Sequence, residues 1–297
     1  MIVFKGSRGV RAGWRFLLFL VLLVVFDYVA SSVALFAARA LHASDAWMGA
    51  LAPLQMCIEE LTTFTSVVGA TFVLARLEKH ALLDYGFAPS PTARPQFFEG
   101  VGLGVVSAAL VAVLMLAFGG MQIHGFGLTG GGWVFYPLGW LVVMLLVGFA
   151  EEALFRGYAL VALARGIGFW PAAIVMTLLF GLSHVGKPGE NAVDIASVML
   201  LGLFTCYALW KTGSLWLAAG FHAAFDFMQF FVIGTRNGSQ APEGTLFNAS
   251  FPGPAWINGG PLGTEASAFI FPAIVALAAY VAWRYRGAPR FTPPTSS

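Results

Sequence analysis

The amino-acid sequence predicts an all-α fold: a polytopic membrane helix bundle of about eight transmembrane helices, making one integral membrane domain over residues 1–297. Three observations predict it. Of 297 residues, 59% are hydrophobic and only 10% charged, with a mean hydropathy of +0.81, whereas globular chains carry about 25% charged residues. Eight apolar runs approach the roughly 20 residues that a span requires. The basic residues between those runs alternate as the positive-inside rule demands. The net charge of +2, spread over short loops, excludes a nucleic-acid-binding patch. Cys57 and Cys206 stand alone in apolar stretches and form neither a disulfide framework nor a CxxC.

The runs lie at 16–38, 54–75, 97–119, 133–150, 169–184, 193–210, 213–234 and 266–284. The first follows Lys5, Arg8, Arg11 and Arg15 and is longer than a signal-peptide core, so it reads as a retained signal anchor. The fourth is expected to continue as an amphipathic helix to Arg165. Residues 85–96, with Gly86, Pro89, Pro91 and Pro95, form a connection, and 120–132 form a Gly-rich, almost uncharged one. Residues 235–265 are the long outer loop, rich in turn signals such as Asn237-Gly238. The end of the chain, 291–297, reads as a flexible tail.

With the N-terminus in the cytoplasm, 13 of the 16 Lys and Arg fall inside: Lys5, Arg8, Arg11, Arg15, Arg76, Lys79, Arg94, Arg156, Arg165, Lys211, Arg284, Arg286 and Arg290. Arg39, Lys187 and Arg236 fall outside. A missed span would scramble this alternation, so an even count with both termini cytoplasmic is expected in a multi-pass protein of the plasma or inner membrane.

Three ionisable clusters interrupt the apolar runs. The first is Glu151-Glu152-Ala153-Leu154-Phe155-Arg156, after an uncharged stretch from Leu138 to Ala150. A charge at mid-bilayer costs about 2.5–3.5 kcal/mol on insertion scales. Glu152 and Arg156 are i and i+4, acid first, and can neutralise each other. Glu151 is about 100° away around the helix and is left for another task. The second cluster, Phe180-Gly181-Leu182-Ser183-His184, ends the fifth span, with Phe180 one turn before the imidazole. The third puts His222 and Asp226 on one face of the seventh span. Each has a bland reading: an interfacial ion pair, an interfacial histidine, a pair pinning two helices. Glu59-Glu60 is also a carboxylate pair, but Phe64 stands where Arg156 stands in the first cluster and no histidine follows at short range, so interfacial placement is expected there.

Together the clusters fall within about 75 residues on neighbouring helices. A carboxylate can act as general base on water while a histidine positions it. The same groups can bind a divalent metal that acidifies water. The remaining histidine and acid can stabilise the oxyanion formed on a carbonyl. That set suits amide or ester hydrolysis. The sequence has no His-Glu-x-x-His and no Gly-x-Ser-x-Gly. Ser183 and His184 are adjacent on a helix and point apart, so they form no nucleophile–base pair.

Glu151-Glu152-x-x-x-Arg156, Phe180-x-x-x-His184 and His222-x-x-x-Asp226, in this order, resemble the three-motif signature of the CPBP family. These are the CaaX-protease and bacteriocin-processing (Abi) membrane proteins, whose eukaryotic relatives are Ras-converting CaaX prenyl proteases. The motif-bearing catalytic core is 138–232. The resemblance implies Glu151 as the water-activating base with His184 as partner, Glu152 and Arg156 as site-shaping residues, and His222 and Asp226 as oxyanion-stabilising or substrate-orienting residues. The third motif usually ends in Asn; ionised Asp226 donates no hydrogen bond and would orient His222 instead. Glu151, His184 and His222 would suit zinc as a ligand set, and a metal-free glutamate mechanism is equally open.

The expected function is intramembrane endopeptidase action on a peptide or lipidated-peptide substrate within the bilayer, prenylated CaaX-type substrates being implied by the eukaryotic branch. The cluster Glu151–Arg156 is expected toward the cytoplasmic side. The first alternative is a non-proteolytic immunity or scaffold protein on the same fold, which predicts that Glu151→Gln leaves function intact. A transporter is the second; no inverted repeat of broken helices supports it.

Overall fold

The computed structural model describes residues 5–6, 9–40, 51–186, 192–238, 240–288 and 290–293. All eight expected apolar runs are helical. Among the described residues, seven helical segments are long and apolar enough to cross a membrane. The eighth, α6 (Phe169–His184), has 16 residues, about 24 Å at 1.5 Å each, short of a hydrocarbon core of about 30 Å. It stops because Val185 turns extended and Gly186 takes φ +105. The chain is an integral, multi-pass membrane protein.

A short antiparallel pair, β1 (Lys5–Gly6) and β2 (Gly9–Val10), precedes α1 (Ala12–Ala40). The side chains of Lys5 and Arg8, used above in the charge count, lie outside the described residues, as does Lys187. α1 buries little of its length and docks through Phe16, Phe19, Leu20 and Phe26 on α2 (Pro53–Leu77) and on α5 (Tyr158–Ile167). α3 (Ala93–Ala117) follows. It packs closely along α8 (Trp216–Asp226) because Gly100 and Gly104 present bare backbone to it: a Cβ on Gly104 would lie 2.5 Å from the Phe221 carbonyl oxygen. Small residues let membrane helices approach in this way where no water drives them together. Gly148 does the same for α4 (Gly132–Arg156), where a Cβ would stand 2.8 Å from the Ala219 carbonyl oxygen of α8.

The fourth run does not continue unbroken to Arg165. α4 ends at Arg156, Gly157 takes φ −80 and ψ −125, and α5 (Tyr158–Ile167) starts afresh. A Cβ at Gly157 would collide with the Ala153 carbonyl, so this bend needs glycine. α5 has the expected amphipathic pattern, but its first turn is covered all round. Tyr158 to Ala162 are all buried, in a core shared with α1, α2 and α6. At its base Glu78 accepts from Tyr158 and Tyr85 and pairs with Arg165 and, at 3.2 Å, with Arg15 of α1. Burial alone would raise the Glu78 carboxyl, but the Tyr158 hydrogen bond and the Arg165 and Arg15 charges outweigh it and hold it below its ordinary value of 4.5.

α7 (Ala192–Thr212) and α10 (Ile270–Arg284) complete a second core with α3 and α8. α8 runs on into a π-helical turn, Phe227–Ile233, a distortion often found beside functional sites. The two connections expected to be plain loops join: β3 (Gln122–Phe126) pairs antiparallel with β4 (Phe247–Ser250), bulged between Ile123 and Gly125. The outer loop also holds α9 (Ala255–Asn258) and a 3-10 stretch, Gly260–Ala266. Tyr136 and Trp140 of α4 both donate to Glu243, whose own N–H donates to Leu51 at 2.9 Å, tying this loop to the starts of α2 and α4. Within the expected flexible tail, Phe291 is anchored by its N–H on the Trp210 carbonyl and its ring on Phe169; residues 294–297 lie outside the described residues.

Candidate active site

All seven expected site residues line one cavity of about 150 Å³: Glu151, Glu152, Arg156, Phe180, His184, His222 and Asp226. α4 brings the first three, α6 the next two and α8 the last two. α4 packs against α2, α5, α6 and α8, so residues on its surface meet all of these helices.

The floor is a buried ion pair. Arg156 Nη1 stands 3.3 Å from Glu152 Oε1, with 1% and 0% of the side chains exposed. The i,i+4 spacing makes the pair, as expected. Phe155 and Phe180 flank the guanidinium, Phe180 with its ring centroid 4.5 Å away. His222 Nδ1 reaches the same Glu152 oxygen at 3.1 Å, which assigns its Nδ1 as donor and turns Nε2 toward Glu151 Oε2 (3.6 Å) and Asp226 Oδ2 (3.5 Å). One imidazole thus touches three carboxylates from two helices. Glu151, one position from the buried Glu152, keeps 24% of its side chain exposed in the cavity.

His184 lies across the cavity. Its Nδ1 bonds the Phe180 carbonyl oxygen at 2.9 Å and its ring sits edge-on to Phe180, centroids 4.8 Å apart. With Nδ1–H so used, Nε2 carries the lone pair. Ser183 Oγ lies 3.4 Å from His184 Nδ1, but it gives its one hydroxyl proton to that same Phe180 carbonyl at 2.7 Å and so has none for the imidazole.

Three residues that sequence reasoning missed complete the wall: Glu60, Asn237 and Glu265. The Glu59–Glu60 pair is not simply interfacial. Glu59 is exposed, while Glu60 is half-buried and lines the cavity, one helical step of α2 separating their fates. Asn237 and Glu265 come from the turn-rich loop, where no periodicity marks an inward residue. Leu51, Asn237 and Glu265 belong to the end where α2 and α4 begin, so the cavity reaches toward the long loop while its Glu152–Arg156 floor is closed.

Among the described residues, no three His, Cys, Asp or Glu side chains are grouped so as to hold a metal ion.

No curated protein matches the chain. A family model does, over residues 131–228, about a third of the chain, which holds all three motifs. That match supports a membrane protease in general, with a peptide substrate and a lipid environment. The matched family is described as type II CAAX prenyl endopeptidase, Rce1-like, and it is the CaaX-protease family that the three motifs resemble.

Proposed function

We propose that this protein is an intramembrane endopeptidase that hydrolyses a peptide bond of a membrane-associated substrate with water activated by Glu151 and His184. The observation that carries this reading is convergence. Three motifs separated by up to 75 residues place a partly exposed carboxylate and two imidazoles on one cavity over a closed, charged floor.

Glu151 takes a proton from water as the water oxygen attacks the carbonyl carbon. The His184 Nε2 lone pair accepts the water's other hydrogen and aims the attack. His222 Nε2, 3.6 Å from Glu151, receives the proton. Its N–H then stabilises the oxyanion and passes the proton to the departing amine as the C–N bond breaks. Glu152 fixes the His222 tautomer through Nδ1, and Asp226 orients the ring; an ionised Asp226 donates nothing to the oxyanion. The family match brings CAAX-type prenylated peptides as one substrate class, cut beside a lipidated cysteine that stays in the bilayer.

The test compares peptide termini of the membrane proteome in cells carrying the wild-type chain or Glu151→Gln at matched expression. Termini lost only in the variant support proteolysis and name the substrate. Identical termini across deep coverage refute it and favour the immunity or scaffold alternative.

A further inference from the structure

Between α1 and α2 lies a second, larger space that the chemistry above does not use: an open, mostly apolar groove of about 990 Å³. Near the middle of the two helices Phe26 packs on the bare backbone of Gly69, where a Cβ would stand 2.9 Å from the Phe26 ring. The groove runs from that contact toward Ala40 and Pro53. Ala30, Ala34 and Ala38 line it on α1, and Ile58, Leu61 and Thr62 on α2. Small residues spaced four apart let another membrane helix come close. Glu59 lines this groove and its neighbour Glu60 lines the active-site cavity, so α2 alone separates the two spaces.

Asp27 stands at the deep end of the groove. It is exposed and, among the described residues, has no hydrogen bond or ion pair. It lies one position past the centre of the 29-residue α1, about 20 Å from either end. Carboxylates at such depth are costly, and they turn to the bundle interior or pair with another group. Asp27 does neither. The threonine hydroxyls along α2 are spent on their own helix, Thr62 on the Ile58 carbonyl and Thr65 on that of Leu61, each at 2.8 Å. Glu59, nearer the mouth, accepts from Gln55 at 2.8 Å.

We propose that the groove receives one transmembrane helix of another membrane protein, with a Lys or Arg near the middle of its span meeting Asp27. Charge and depth select this occupant. The ammonium of a lipid stays with the headgroups, about 20 Å from Asp27 along α1. A second copy of this chain brings no cation to that depth: among the described residues, every helical Lys or Arg lies in the first or last turn of its helix, as Arg15, Arg39, Arg76 and Arg284 do. A partner helix with its own mid-span cation neutralises two costly charges in one contact, and the alanine ridge of α1 gives it a surface to lie on.

The experiment places the full chain, with a donor fluorophore at its N-terminus, in liposomes. Acceptor-labelled transmembrane Leu/Ala peptides with Lys, Leu or Glu at the central position are titrated in, and energy transfer reads binding rather than cleavage. Wild type should bind the central-Lys peptide about tenfold more tightly than the central-Leu peptide, the scale of a polar contact between membrane helices. Asp27→Leu removes that preference, Asp27→Lys transfers it to the central-Glu peptide, and Ala34→Trp, which fills the groove, weakens the central-Lys peptide about tenfold. Moving the peptide's Lys to its terminal turn abolishes the preference with the protein untouched. Equal affinity for the central-Lys and central-Leu peptides, or a preference that survives in Asp27→Leu, overturns the inference. Energy transfer between copies of the wild-type chain that is lost in Asp27→Leu also overturns it and assigns the groove to a second copy. A lipid that co-purifies with wild type and not with Ala34→Trp, without any peptide preference, assigns the groove to lipid and overturns it as well.

Discussion

Arg156→Met gives the sharpest test of the site's floor. In the wild type, Glu152 and Arg156 are 0% and 1% exposed and 3.3 Å apart. Removing the cation strands a carboxylate that has no water to turn to, while the His222 Nδ1 at 3.1 Å remains its other partner. Breaking a buried pair from one side costs about 3–5 kcal/mol. Methionine fills the volume between Phe155 and Phe180, so little of that figure is a cavity. For a chain of this size about 2–4 °C of Tm accompanies each kcal/mol, so the variant should melt about 10 °C below wild type. Glu152→Gln with Arg156→Met replaces both charges and keeps an acceptor for His222; it should recover a substantial part of the loss, a coupling of about 1–3 kcal/mol. The assay is thermal unfolding of the four proteins of this cycle in nanodiscs. An Arg156→Met protein melting within 2 °C of wild type, or a double variant no more stable than the single, would refute the buried-pair argument.

Three further outcomes follow from other parts of the molecule. A Cβ at Gly202 would stand 2.6 Å from Arg156 Nη2 and 2.9 Å from Phe180, so Gly202→Ala should cost about 1–3 kcal/mol by overpacking and lower peptide turnover with it; unchanged Tm and turnover would show that the floor yields freely. Because the Glu78 carboxyl is held below its ordinary 4.5, its stabilisation is fully present above that value and fades as pH falls through the lowered folded value. The Tm gap between wild type and Glu78→Gln should therefore be widest at neutral pH and narrow below about pH 4; a gap that stays constant with pH would contradict this. The water activation proposed for Glu151 and His184 needs no metal ion, so the purified protein should keep its peptide turnover after dialysis against EDTA and phenanthroline, and turnover lost to chelation and restored by zinc would overturn the metal-free chemistry.

The helices were legible because a span must be apolar for its whole length. The site was legible for a related reason. In an apolar chain every buried charge stands out, so Glu151, Arg156, His184, His222 and Asp226 could be read directly, and the i,i+4 arithmetic paired Glu152 with Arg156 and His222 with Asp226. What remained hidden depends on long-range contact. The bend at Gly157 leaves α5 buried where the pattern suggests an amphipathic face, because α1, α2 and α6 cover the side that would otherwise be wet. The pairing of β3 with β4 joins segments more than 100 residues apart and has no local signal. Glu60 was set aside because it lacked an Arg156 equivalent four residues on. Its placement is set by the cavity, which it lines together with Asp226 and Glu265.

Glu151 and Glu152 show how one helical step divides labour. The closeness of α4 to α8 is set by Gly148, whose missing Cβ lets the Ala219 and Ala223 backbone come within van der Waals contact. At that separation a residue turned straight toward α8 reaches His222 Nδ1, and Glu152 does so at 3.1 Å with no exposure. The neighbouring Glu151, rotated by about 100°, passes beside the imidazole and meets Nε2 from the cavity side. The buried carboxylate therefore fixes which nitrogen of His222 carries the proton, and the accessible one faces the other nitrogen. Exchanging the two roles would require turning α4 about its axis, which Gly148 against α8 and Phe155 against Phe180 both oppose. The adjacent pair is thus a single device, with its accessible member held in register by its buried member.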